Sequence, residues 1–109
     1  MKKILPALTL VLTATAFAWA VEVPPAYEKN CAACHGKDGK AETKAGRKAR
    51  TKSLVDKTYQ ASFTDEDAFK SIKEGQTDDA GKEKMKAFAD KLTDEEIRAL
   101  VSYIRTFAP

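Results

Sequence analysis

The clearest apolar periodicity lies near the C-terminus, where Ile97, Leu100, Val101 and Ile104 fall at i, i+3, i+4 and i+7. That spacing marks one face of an α-helix. Tyr103 and Phe107 widen the stripe, Thr93-x-x-Glu96 forms a capping box, and Leu92 with Ile97 fits a hydrophobic staple around it. A second helix is predicted after Thr64, with Asp65, Glu66 and Asp67 in its positive first turn, Ala68, Phe69 and Ile72 on its apolar face, and Gly75 ending it. A third begins at Pro24-Pro25, where proline suits the first turn, and runs to His35 with Gly36 placed to stop it. Residues 36 to 62 show no sustained period and carry Gly36, Gly39 and Gly46, so they read as a long loop with one helical turn at most. Residues 76 to 92 read as a second irregular stretch. No alternation predicts a strand and no internal repeat occurs. The expected fold is all-α, with three to four short helices joined by long loops.

The polar and apolar pattern at the N-terminus has a different meaning. Lys2 and Lys3 precede an apolar run from Ile4 to Phe17, and Ala18-Trp19-Ala20 supplies a small-x-small exit. This reads as a signal peptide over residues 1–20, cleaved to leave a single domain at 21–109. The run is short against the about 20 apolar residues of a bilayer span, so no stable membrane insertion is expected after cleavage. The expected location is the periplasm or the exterior.

What remains is a small domain with a thin core, of the size that often recruits a covalent or metal staple. The formal net charge of +3 includes the two leader lysines, and no basic-aromatic interleaving suggests nucleic acid. Charge is nevertheless uneven. From Lys37 to Lys57 there are eight basic against three acidic residues, and from Asp65 to Glu83 three basic against seven acidic. Two solvated surfaces would account for this, and so would a dipolar protein that docks a charged partner, such as one with an acidic surface, through one end.

The chemistry concentrates in "NCAACHG", residues 30 to 36. On a helix, Cys31 and Cys34 project from one side and His35 lies one turn above Cys31. That arrangement suits two thioether bonds to one porphyrin with the imidazole on its iron, and C-x-x-C-H is the attachment signature of haem c. A redox dithiol would sit in a βαβ frame, a structural zinc needs four ligands, and a disulfide across three helical residues would constrain little. One covalent haem c also gives the loops something to wrap. For the second axial position the chain outside the leader offers no other histidine and one methionine, Met85. Core filling is the ordinary role of a lone methionine, but Lys84 and Lys86 flank this one and favour ligation. His35/Met85 ligation closes the iron to substrates and points to a one-electron carrier, not an enzyme. The alternative is a gas-binding or sensor haem protein with a labile or absent sixth ligand.

With "YEKNCAACHGKDGK" early, "FTDEDAFKSIKEG" in the middle and "MKAFADKLTDEEIRALVSYIRTF" last, residues 24 to 109 resemble a small class I c-type cytochrome, the monohaem electron carriers of the bacterial periplasm. The resemblance implies a cytochrome c fold, haem thioethers at Cys31 and Cys34, and iron ligation by His35 and Met85. It also implies that the first and last helices cross at Tyr27, with Leu100 and Tyr103 as its partners. Two positions depart from the family pattern. Lys86 stands where a proline commonly follows the ligand methionine, and no proline lies between Pro25 and Pro109 to orient the histidine through its carbonyl. A backbone carbonyl near Lys44 to Gly46 is expected in that role.

Overall fold

The computed structural model describes residues 3–4, 6–11 and 22–109. The small-residue exit of the leader, Ala18 to Ala20, lies outside the described residues. Among the described residues, no helix is long and apolar enough to cross a membrane.

The order of elements is α1 (Pro25–Asn30), α2 (Ala32–His35), α3 (Lys44–Ala49), α4 (Lys57–Ala61), α5 (Asp65–Glu74), β1 (Gln76–Thr77), β2 (Glu83–Met85) and α6 (Asp94–Arg105). The two longest helices are those with the strongest local signals. Thr64 and Thr93 each accept from the backbone of the third helical residue, while Asp67 and Glu96 reach back to the capping threonine. Reciprocal bonds of this kind satisfy amides that a helix start leaves without partners.

The expected first helix is bent. Cys31, at φ −114° and ψ −36°, separates α1 from α2. Its amide still bonds the Tyr27 carbonyl (2.9 Å) and its carbonyl still accepts from His35 (2.9 Å), so Cys31 links the two short helices across the bend.

The stretch 36–62, expected to be loop, contains α3 and α4, and the stretch 76–92 contains an antiparallel hairpin, β1 against β2. Each lacks a hydrophobic signature for a physical reason. The buried residue of α3 is Gly46 and that of α4 is Gln60, while the strands are exposed except at half-buried Met85.

The core is small and joins the ends of the domain. Tyr27, Ile97 and Leu100 are the largest side chains to be fully buried, with Ala68, Ile72, Phe88, Val101 and Tyr103 around them. Tyr27 meets Tyr103 edge to face at 4.9 Å between ring centroids, and Phe107 lies 5.6 Å away. The expected packing of Tyr27 with the last helix is therefore observed. Gln60 is the buried polar residue, and its Nε2 donates to the carbonyls of Leu54 and Ile104, both at 2.8 Å. Arg105 completes the joint by donating to Gln60 Oε1 (2.9 Å) and the Phe63 carbonyl (2.8 Å). This polar clasp ties α4 to α6.

Candidate functional site

Cys31, Cys34 and His35 stand together on the bent α1–α2 segment, as their spacing requires. Several neighbours hold that segment. Gly36, at φ 79° and ψ 158°, ends α2 directly after the histidine. The Tyr27 hydroxyl donates to the buried Gly36 carbonyl at 2.6 Å. On the opposite side Thr43 Oγ1 donates to the Ala33 carbonyl (2.6 Å) and lies 3.2 Å from the Cys34 carbonyl, while accepting from the Gly46 amide at 2.9 Å. One hydroxyl thus caps the end of α2 and the start of α3. A β-carbon at position 46 would collide with the Cys34 carbonyl and stand 2.9 Å from that of Ala41, so glycine lets α3 lie against the back of the cysteine segment.

Burial sets the electrostatics. Desolvation, assisted by Cys34, pushes the Cys31 thiol up to about 11. A catalytic dithiol needs a depressed thiol pKa, so Cys31 is poorly suited to thiol–disulfide exchange. Burial also lowers the His35 pKa, and the Lys52 backbone acts in the opposite direction without reversing it. His35 Nδ1 is buried without a partner at full hydrogen-bond geometry. The expected stretch, Lys44 to Gly46, is otherwise engaged: it forms the first turn of α3, and the Gly46 carbonyl accepts from Thr51 at 2.9 Å. The backbone pull on the imidazole comes instead from Lys52, further along the loop.

Met85 ends β2, opposite Gln76. It is half-buried and packs against the same core cluster that contains Cys31. Lys84 and Lys86 on either side are exposed. The basic residues from Lys37 to Lys57 are exposed as well, and α3, which carries Lys44, Arg47 and Lys48, is the helix that packs against α2. Sequence reasoning missed Thr43 and Gly46, although Thr43 has the residue type and position of an N-cap.

The donor set fits a c-type haem. It combines two thiols one helical turn apart, an imidazole whose Nδ1 is buried without a partner, and a thioether at the edge of the same core. Comparisons with known proteins agree. The family described as "Cytochrome C oxidase, cbb3-type, subunit III" matches residues 22–104. A solved structure of the KustC0563 c-type cytochrome is 36% identical, covers 76% of this chain and 93% of that one, and superposes with a TM-score of 0.67. A structure of a Kustc0563 tyrosine-to-phenylalanine mutant gives 36% identity, coverage of 74% and 92%, and a TM-score of 0.65. Comparison with curated proteins gives no match. The fold is that of a small c-type cytochrome, a family of haem-dependent electron carriers and not of enzymes. The chain belongs to the cbb3-type cytochrome c family, and its cofactor is covalently bound haem c.

Proposed function

We propose that this chain is an exported one-electron carrier in which Cys31 and Cys34 hold the haem and His35 and Met85 ligate its iron. The observation that carries the reading is His35, whose Nδ1 is buried without a hydrogen-bond partner and whose amide bonds the Cys31 carbonyl one turn back at 2.9 Å. Haem c bound there supplies an iron that cycles between Fe(III) and Fe(II). The protein's own contribution is to orient and to exclude water. Burial lowers the His35 pKa and so favours the neutral imidazole with a lone pair to donate, while the Lys52 backbone pulls the other way. Met85 would bring a soft thioether from the β-hairpin, and a thioether ligand would raise the reduction potential. Were His35 and Met85 both to hold the iron, they would leave no place on it for a substrate, which would suit outer-sphere transfer between proteins.

The exposed basic surface from Lys37 to Lys57, lying against the cysteine segment through α3, supports docking to an acidic redox partner. Residues 1–20 are read as a cleaved leader and the periplasm as the place of work, since haem attachment and export accompany each other in the class the chain resembles. The intact mass of the protein purified from a haem-maturing host tests attachment and processing together. The expected mass is that of residues 21–109 plus one haem, retained after denaturation. A haem-free mass would refute covalent attachment, and an uncleaved N-terminus would refute the leader.

A further inference from the structure

We propose that Gly75 is a positioning residue for Met85, setting the height at which the thioether is presented; the inference rests on the Met85 ligation proposed above. Gly75 follows α5 with φ 78° and ψ −179°, a backbone region essentially open to glycine alone. That turn sends the chain out into β1, and β2 returns antiparallel with Met85 opposite Gln76. The returning backbone then lies directly on the glycine. A β-carbon at position 75 would stand 2.6 Å from the Met85 carbonyl oxygen, 2.9 Å from the Ala87 nitrogen and 3.0 Å from the Lys86 carbonyl carbon. None of these is the flexible end of a side chain, so any other residue must lift the backbone of Met85 itself.

The same segment is fastened further along. The amides of Phe88 and Ala89 donate to the carbonyls of Ile72 (3.0 Å) and Lys73 (3.2 Å) near the end of α5. The last carbonyls of a helix have no partner within it, so α5 offers the Met85 segment both a flat seat and acceptors. Met85 is the residue of the two strands that turns inward; the others are exposed. Its depth therefore follows from the fit at Gly75 and not from side-chain packing along the hairpin. Lys86 stands directly after Met85, where a proline would have stiffened the chain, and the seat at Gly75 supplies the missing constraint.

The test compares Gly75→Ala, Gly81→Ala and Met85→Ala holoproteins by the sulfur-to-iron absorption of the oxidised form and by reduction potential. Gly81 also has a positive φ, 81°, but no neighbour within 4 Å of a β-carbon, so it controls for backbone strain. The expected result is that Gly75→Ala loses the sulfur-to-iron band and falls in potential toward Met85→Ala, while Gly81→Ala keeps both. If Met85→Ala loses the band and Gly75→Ala keeps it, the role of Gly75 is overturned and Met85 ligation stands. If Met85→Ala itself keeps the band, the ligand assignment fails and this inference with it. Should Gly75→Ala not fold, hydrogen exchange in the wild-type holoprotein decides. The Phe88 and Ala89 amides should exchange as slowly as those in the middle of α5, and exchange at open-chain rates overturns the seat.

Discussion

Replacing Tyr27 by phenylalanine removes one oxygen from the most enclosed point of the fold. Its ring is 0% exposed, and its hydroxyl donates to the carbonyl of Gly36, the residue after His35. The cost divides into two parts. A neutral hydrogen bond contributes about 0.5–1.5 kcal/mol net, and stranding a buried acceptor would raise that toward about 3 kcal/mol. The Gly36 carbonyl is not stranded, because the Gly39 amide reaches it at 3.2 Å. Tyr27→Phe should therefore cost about 1 kcal/mol, or about 4–8 °C in Tm for a domain of this size. Tyr27→Ala removes the ring from Tyr103 and Phe107 as well and should cost about 3–5 kcal/mol. Burial holds the Tyr27 pKa well above its ordinary value, so the phenol stays protonated and the phenylalanine cost should not vary between neutral pH and pH 9. Equilibrium urea unfolding of the three holoproteins gives these differences directly. A phenylalanine variant as unstable as the alanine variant, or no less stable than the wild type, refutes this division.

Three further outcomes follow from named contacts. Gly46→Ala would gain about 1 kcal/mol of helix propensity in isolation, but its β-carbon meets the Cys34 carbonyl, which Thr43 also engages. Displacement of that backbone costs about 1–3 kcal/mol, so thermal unfolding should show a net loss; a stabilised variant contradicts the close packing of α3 on α2. The Thr64 backbone amide, and then the Thr64 hydroxyl, hold the Asp67 pKa below its ordinary value. Its stabilisation is fully present above the unfolded carboxylate pKa of about 3.9 and is lost as pH falls through the lower folded value. Asp67→Asn should thus flatten the acid limb of the stability profile, and an unchanged limb in acid titration of Tm rules this out. Electron-transfer rates with an acidic partner should fall as ionic strength rises, and salt-independent stopped-flow rates would exclude docking through the Lys37 to Lys57 surface.

The parts of this fold that were legible in the sequence are those encoded locally. The cap at Thr64 with its acidic first turn, the capping box at Thr93, and the apolar faces that follow them mark α5 and α6, because three or four neighbouring residues determine each signal. Cys31, Cys34 and His35 were legible for the same reason. What was not legible depends on contacts distant in sequence. Gln60 and Arg105 are ordinary polar residues until the fold brings α4 beside the end of α6, so α4 carries no hydrophobic signal. Gly46 reads as a loop glycine until the back of Cys34 is set against it. The hairpin escaped notice because both its faces are exposed except at Met85, and no alternation marks it.

The most direct test of the proposed site is the optical spectrum of the purified holoprotein, oxidised and reduced, with carbon monoxide added to the reduced form at neutral pH. A haem held by Cys31 and Cys34 between His35 and Met85 gives low-spin spectra in both states, a sulfur-to-iron band when oxidised, and no rapid reaction with carbon monoxide. A high-spin reduced form that binds carbon monoxide rapidly and stoichiometrically would contradict it, and would place the protein among gas-binding haem proteins instead.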